Sequence, residues 1–106
     1  MEKFLFFNTG ANDSLCMPAR RLTDMGMESN GTSLILHFIA AFGGNDGVGE
    51  ITVDITIADN KGKLVMEAIA EAIRLGKEPF ITVIDDTTGE KIHDDITSVG
   101  SIVDFA

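Results

Sequence analysis

The sequence predicts an α+β fold: a single bent antiparallel sheet or partly closed barrel of about five to six strands, with one main helix at about residues 60–75. Two observations support this prediction. In residues 50–58, EITVDITIA, isoleucine and valine alternate with polar residues, which is typical of an antiparallel strand with one buried face. After residue 60 the apolar spacing changes from two to about 3.6, which is the period of a helix.

The first thirty residues predict one short strand and one ambiguous segment. The apolar run FLFF at residues 4–7 ends at the turn formers NTGAND, so we expect a strand that is buried on both faces. Pro18 then either opens a helical turn or lies in an edge strand, where its missing N–H is not needed. Asn30 and Gly31 favour a type I′ turn, because both residues tolerate positive φ.

Residues 32–42, TSLILHFIAAF, predict a second strand by their β-branched and aromatic content. The loop that follows, FGGNDGVGE at residues 42–50, contains four glycines and raises the question of a phosphate or calcium site. Phosphate loops lead into a helix, whereas this loop joins two strands and carries Asp46, which would repel a phosphate. The spacing of a helix-loop-helix calcium site is also missing. We interpret the loop as a hairpin connection.

The helix is predicted by an apolar stripe that faces the sheet. Its members share the helical spacing: Leu64, Val65, Ala68, Ile69, Ala72 and Ile73. Asp59 or Asn60 is positioned to cap the start, and Gly76 to end the helix in the left-handed conformation. Beyond the helix we expect a strand at residues 79–85, a short return at residues 92–93 and a last strand at residues 99–105.

Composition narrows the classes of function. The chain has 106 residues, a length that predicts a single domain. It contains eight basic and seventeen acidic residues, which give a net charge of −9. An acidic surface repels a phosphate backbone, so we do not expect a nucleic acid partner. A single cysteine favours a reducing compartment, and the apolar start is too short for a signal peptide. No apolar stretch reaches the roughly 20 residues that span a bilayer, so we expect no membrane partner.

The densest polar segment is DDTTGEKIHDD, residues 85–95, with five carboxylates and one imidazole. If it binds a metal, the ligands that we expect are Asp86, His93 and Asp95. Neighbouring residues of a hairpin point to opposite faces, however, so Asp85 and Asp86 cannot aim at one point. We therefore favour a solvated acidic hairpin, and no cofactor is expected.

The start of the helix breaks a local rule and suggests an anion site. Lys61 and Lys63 lie where the helix dipole is already positive, and Gly62 has poor helix propensity. An anionic ligand held by Asn60, Lys61 and Lys63 would explain this choice of residues. The alternative, which we favour, is that the two lysines form ion pairs with Asp59 and Asp54.

Arg20 and Arg21 are the only adjacent basic pair in the chain. They either contact the acidic hairpin of a second copy, as an interface between identical chains, or form a solvated pair.

No catalytic residues are predicted. His37 lies in an apolar strand, and we interpret it as a partly buried structural histidine rather than as the partner of a nucleophile such as Cys16. The sequence contains no GxSxG or HExxH motif, so we do not expect an enzyme.

Three segments in order resemble a group of short marine bacteriophage proteins: MPARRL, DNKGKLVMEAIAEAI and PFITVIDDTTGEKIHDDIT. The resemblance covers roughly the last three-quarters of the chain. Proteins of that group are presumed to be virion-associated or accessory. The resemblance implies a location in the host cytoplasm or the virion, and many copies that assemble with each other or with other virion proteins.

Taken with the apolar strand faces that one helix cannot cover, this predicts a non-enzymatic phage structural or accessory protein that acts as a homo-oligomer. The alternatives are a binding module for an anionic ligand at the helix N-terminus, or a metal site on the acidic hairpin.

Overall fold

The computed structural model describes residues 2–10, 13–39 and 50–105, and within them the chain forms seven strands and one α-helix. The strands are β1 Phe4–Asn8, β2 Ser14–Pro18, β3 Leu22–Met27, β4 Ser33–Ile39, β5 Glu50–Ile57, β6 Phe80–Asp85 and β7 Ile96–Phe105, and the helix is α1 Gly62–Leu75. The predicted α+β class and the position of the main helix are confirmed. The glycine-rich connection is not tested, because residues 40–49 lie outside the described residues.

The strands form two sheets, with orders β2-β1-β6 and β3-β4-β5-β7, and the sheets are not closed into a barrel. The expected single antiparallel sheet is therefore corrected to two sheets. The first of them contains a parallel pair, β1 with β6, although every other pair of named strands is antiparallel. The alternation of apolar residues indicates that a strand has a buried face, but it does not indicate the neighbouring strand in the sheet. The sequence therefore did not predict the pairing of β1 with β6.

Both sheets and the helix share one hydrophobic core. The rings of Phe7 in β1 and Phe38 in β4 join the sheets edge to face, with centroids 6.0 Å apart. Each such fully buried side chain stabilises the fold by about 1.5–3 kcal/mol relative to exposure. The other completely buried members, at 0% exposure, are Leu5, Leu34, Leu36, Val53, Ile55, Val65, Ile69, Val83 and Ile96.

The alternation predicted for β4 and β5 is confirmed, since Leu34, Leu36, Val53 and Ile55 all point into the core. The prediction for residues 4–7 was only partly right. β1 buries Leu5 and Phe7, whereas Phe4 and Phe6 remain partly accessible on the outer face of the three-stranded sheet. Phe6 packs there against the ring of Phe80, with centroids 5.3 Å apart. The continuous apolar run of β1 therefore has two causes: Leu5 and Phe7 enter the core, and Phe6 forms a ring pair on the outer face.

The segment around Pro18 contains both predicted alternatives. β2 is an edge strand that ends at Pro18, and a 3-10 turn, Ala19–Arg21, follows it. The edge position is the reason that Pro18 is tolerated, because its missing N–H faces away from β1.

The turn between β3 and β4 differs from the predicted type I′ turn. Gly31 has a φ of 80°, but Asn30 is not among the residues with positive φ. The side chain of Asn30 acts instead: its Oδ1 accepts hydrogen bonds from the N–H groups of Thr32 at 2.9 Å and Ser33 at 3.1 Å. Asparagine favours turns because it tolerates positive φ and because its side chain hydrogen-bonds to nearby backbone groups. Here the second reason applies.

Both predicted helix caps are wrong. The residue before α1 is Lys61, without a side-chain cap, and Gly76 is extended, with a φ of −66°. The helix C-terminus is capped by Lys3, from the segment just before β1. Its Nζ donates to the carbonyl oxygens of Ala72 at 3.1 Å, Ile73 at 2.8 Å and Gly76 at 2.5 Å. An ammonium group at this end also interacts favourably with the helix dipole.

The predicted apolar stripe of the helix is partly confirmed. Val65 and Ile69 are buried in the core, but Leu64 is 46% exposed. The N-terminal turn packs on β3, where a Cβ atom at Gly62 would lie 2.5 Å from both Cγ and Sδ of Met27. The glycine with poor helix propensity is thus explained by a close approach of the helix to β3.

We predict that Gly62→Ala stabilises the protein by less than the roughly 1 kcal/mol that its better helix propensity would give. The reason is that the Met27 side chain must move away from the new Cβ atom. In a Met27→Ala background no such movement is needed, so the same substitution should be more stabilising there. Urea unfolding of the four chains of this double-mutant cycle measures the difference. Equal effects in the two backgrounds would contradict the packing explanation.

We also predict that Lys3→Met lowers the free energy of unfolding by about 1–2 kcal/mol, because three helix carbonyls lose a charged donor. The matched control is Lys63→Met, since the structure gives the exposed Lys63 no hydrogen bond and no ion pair within the described residues. Thermal or urea unfolding should separate the two variants. A loss at Lys63 as large as that at Lys3 would show that the cap is unimportant.

Candidate interaction surface

The outer face of the four-stranded sheet is accessible to solvent and carries both apolar and acidic side chains. We call it the open face, and define it by Asp24, Ile35, His37, Ile39, Glu50, Thr52, Asp54 and Val103. Strand alternation places these residues together, because their neighbours in β4 and β5 point into the core. A depression of about 620 Å³ lies along it, lined by residues of β3, β4 and β5 and by Glu28, which follows β3.

The register explains which side chains meet on the open face. His37 lies opposite Asp24 on one side and Thr52 on the other, and Ile39 lies opposite Glu50. On the far strand, Val103 lies opposite Thr52. The face is therefore continuous across all four strands of the sheet.

His37 is half-buried, as the sequence predicts, and lies between two carboxylates. Its Nε2 is 3.9 Å from Oδ1 of Asp24, and its Nδ1 is 3.5 Å from Oε1 of Glu50. Cys16 lies on the outer face of the other sheet, opposite Phe6. Since the two residues lie on different sheets, they do not form a nucleophile and base pair. Burial also raises the pKa of the Cys16 thiol, which disfavours the reactive thiolate.

Asp54 occupies the centre of the open face at a point of tight packing. Its Oδ1 is shielded from solvent and has no hydrogen-bond partner among the described residues, and it lies beside Gly100 at an irregular step of β7. Burial raises the pKa of Asp54, the charge of Glu28 raises it further, and a hydrogen bond with Ser33 acts in the opposite direction. The proton is thus held more tightly here than on an exposed aspartate.

The acidic hairpin is held by its own carboxylates. Oδ1 of Asp85 accepts hydrogen bonds from Asn8 Nδ2 at 2.9 Å, Thr87 N at 2.9 Å and Thr88 N at 3.4 Å. Burial pushes the pKa of Asp85 up, but these hydrogen bonds outweigh it and lower the pKa below the ordinary value. The carboxylate acts here as the organiser of a turn.

The three residues predicted as metal ligands have other contacts. Oδ2 of Asp86 accepts a hydrogen bond from Val99 N at 3.0 Å. Nδ1 of His93 accepts one from Asp95 N at 3.1 Å and lies 3.6 Å from Oδ2 of Asp95. Within the part of the chain that the structure describes, no three His, Cys, Asp or Glu side chains are grouped so that they could hold a metal ion. The structure thus brings His93 and Asp95 together without Asp86 as a third ligand.

The predicted anion site at the helix start is exposed. Lys61 and Lys63 form no ion pair within residues 2–10, 13–39 and 50–105, so the pairing with Asp59 and Asp54 that the sequence favoured is not present. Asn60 has a φ of 63° and turns the chain into the helix.

The predicted interface arginines differ from each other. Arg20 forms an ion pair through Nε with Glu2 of the same chain, and both side chains are largely exposed. Arg21 is partly buried at the end of the 3-10 turn. An exposed pair of this kind contributes little stability, so Arg20 remains accessible to a second chain.

Comparison with protein-family models, curated proteins and solved structures finds no match. The functional conclusion therefore depends on the chemistry of the residues described above. Among the described residues, no helix combines the length and the apolar character needed to cross a membrane.

The sequence predicted apolar strand faces left uncovered, but not which strands form the open face or which residues meet on it. The signal was present in β4, where Ile35 and Ile39 are apolar on the side of the strand opposite Leu34 and Leu36. An apolar residue on both faces of a strand indicates that each face has something to contact.

We predict that Asp85→Asn reduces the loss of stability in acid. The hydrogen-bonded carboxylate stabilises the fold above its ordinary pKa of 3.8, and that contribution disappears as the pH falls through the lowered folded value. Asparagine keeps the carbonyl acceptor but does not titrate. When the free energy of unfolding is measured from pH 7 to pH 2, it should fall less steeply at acid pH for this variant than for the unmodified chain. Asp94→Asn, an exposed residue of the same hairpin, is the control, and an equal change there would contradict the assignment.

Proposed function

We propose that this protein is a non-enzymatic structural or accessory protein that acts by self-association. The observation that carries the proposal is the exposure of large apolar side chains on outer sheet faces: Ile39 at 48% and Val103 at 38% on the open face, and Phe80 at 53% on the other sheet. Single exposed apolar residues are ordinary, but Ile39 and Val103 share one face with the half-buried Ile35.

The chemistry of the same surface supports a contact rather than a reaction. The imidazole of His37 is flanked by carboxylates, and the only cysteine of the chain lies on the other sheet. The carboxylates of Asp85 and Asp86 accept backbone hydrogen bonds that hold the hairpin in place. The proposal thus assigns the conspicuous polar residues to structure and the exposed apolar ones to assembly.

The resemblance to short marine bacteriophage proteins suggests the setting, in which many copies assemble with each other or on a particle. That setting remains a prediction from three sequence segments. Self-association itself is argued from the exposed side chains and can be tested on the purified chain alone.

A second candidate function is the binding of an anionic ligand at the start of α1. The observation that favours it is that Lys61 and Lys63 are both exposed and form no ion pair within the described residues, in a chain of net charge −9. Two cations close to the positive end of a helix dipole suit a phosphate or carboxylate group.

We expect native mass spectrometry of the purified chain to show a defined oligomer of bare chains, and light scattering across a dilution series to give the same subunit number. A monomer that carries extra mass would overturn the assembly proposal and support a bound ligand instead. Lys61→Glu with Lys63→Glu then separates the two functions, because the double variant should lose that extra mass while a self-associating chain should keep its oligomer. A bare monomer at every concentration would contradict both.

A further inference from the structure

The outer edge of β7 is the longest strand edge in the described part of the chain. β7 has ten residues, lies at the end of the four-stranded sheet and pairs with β5 on one side. On the other side, the N–H of Val99 donates to Oδ2 of Asp86 at 3.0 Å. From residue 100 to residue 105, no described residue pairs with the outer edge. A strand edge of this kind presents unpaired N–H and C=O groups to another strand.

The other three sheet edges carry features that discourage pairing. β2 has five residues and ends in Pro18. β3 contains Asp24 and Gly26 and has an irregular register with β4. β6 is covered along its second half, because Ile84 forms an antiparallel bridge with Lys91 and Ile92 N donates to Val83 O at 3.0 Å. Short length, charge, proline and local cover are the usual protections of an edge strand.

Charge separates two ways in which copies of this chain could meet. The chain carries a net charge of −9, and the open face includes Asp24, Glu50 and Asp54. Stacking two open faces would bring these carboxylates together, which is unfavourable. β7 has one charged residue in ten, Asp104, and is rich in β-branched residues. Edge pairing leaves the open faces side by side rather than face to face.

We propose that two copies of this chain pair antiparallel through the outer edges of β7, in the segment 100–105, and join their four-stranded sheets into one eight-stranded sheet. This proposal rests on the proposed function of self-association and names one contact for it, which involves Val103 but not Ile39. The contact is isologous, since the same edge is used by both copies around a two-fold axis. Backbone hydrogen bonds supply the affinity, and Val103 supplies a cross-strand apolar contact on the open face.

The test compares the same substitution at two positions of the open face, in the full chain. Val103→Lys lies on the edge strand, whereas Ile39→Lys lies two strands away and is at least as exposed, at 48% against 38%. Both variants change the net charge equally. Edge pairing predicts that Val103→Lys weakens dimerisation roughly tenfold or more, measured by sedimentation equilibrium, and that Ile39→Lys leaves it nearly unchanged.

Hydrogen exchange on the unmodified chain gives a second measurement that does not depend on a variant. At protein concentrations above the dimer dissociation constant, amides in segment 100–105 should exchange more slowly than at concentrations below it. The exchange rates of amides in β2, an edge strand of the other sheet, should not change. Circular dichroism of both lysine variants checks that they are folded.

The outcomes separate this inference from the proposed function. A chain that is monomeric at all concentrations contradicts both. An oligomer that resists Val103→Lys and shows no concentration-dependent protection in β7 overturns the edge pairing but leaves self-association intact. Dissociation caused by Ile39→Lys and not by Val103→Lys would assign the contact to the stacked open faces instead.

Discussion

The parallel pairing of β1 with β6 is the constraint on which much of this structure depends. It joins residues 4–8, near the start of the chain, to residues 80–85, which follow α1. At one end of the pair, Lys3 is placed against the last carbonyls of the helix. At the other end, Asn8 donates to Asp85 and its carbonyl accepts from Asp86 N at 2.9 Å. One non-local pairing therefore positions both the helix cap and the acidic hairpin.

That hairpin shows how a conspicuous sequence cluster acquires a structural explanation. Once Asp85 is fixed by Asn8 and by the turn amides, Asp86 points the other way and reaches Val99 in β7. The two adjacent carboxylates thus serve different elements, as the alternation of a hairpin requires. Carboxylates that accept backbone N–H groups are stabilised as anions, so a local excess of acid does not require a cation to balance it.

Much of the fold was predictable from local pattern, and the rest was not, for physical reasons. Alternation in β4 and β5 and the helical period of α1 arise from one buried face in each element, and sequence records such a face directly. The parallel pair, the cap by Lys3 and the contact of Met27 with Gly62 join residues far apart in the chain. Their partners are chosen by the tertiary structure, which no window of sequence contains. Of the site, the half-buried histidine and an uncovered apolar strand face were predicted, but the two carboxylate neighbours of the histidine and the cross-strand partners were not.

The contact of Met27 with Gly62 also changes the weight of the anion-binding alternative. The unfavourable start of the helix suggested a functional site, because Gly62, Lys61 and Lys63 all oppose helix formation there. The close approach of the Met27 side chain gives the glycine a packing reason that needs no ligand. The two lysines remain without an ion pair in the described residues, but an exposed lysine needs no special explanation. The outer edge of β7 differs from these lysines, because unpaired backbone groups along a strand of low charge favour pairing with another strand. Self-association is therefore better supported in this chain than anion binding.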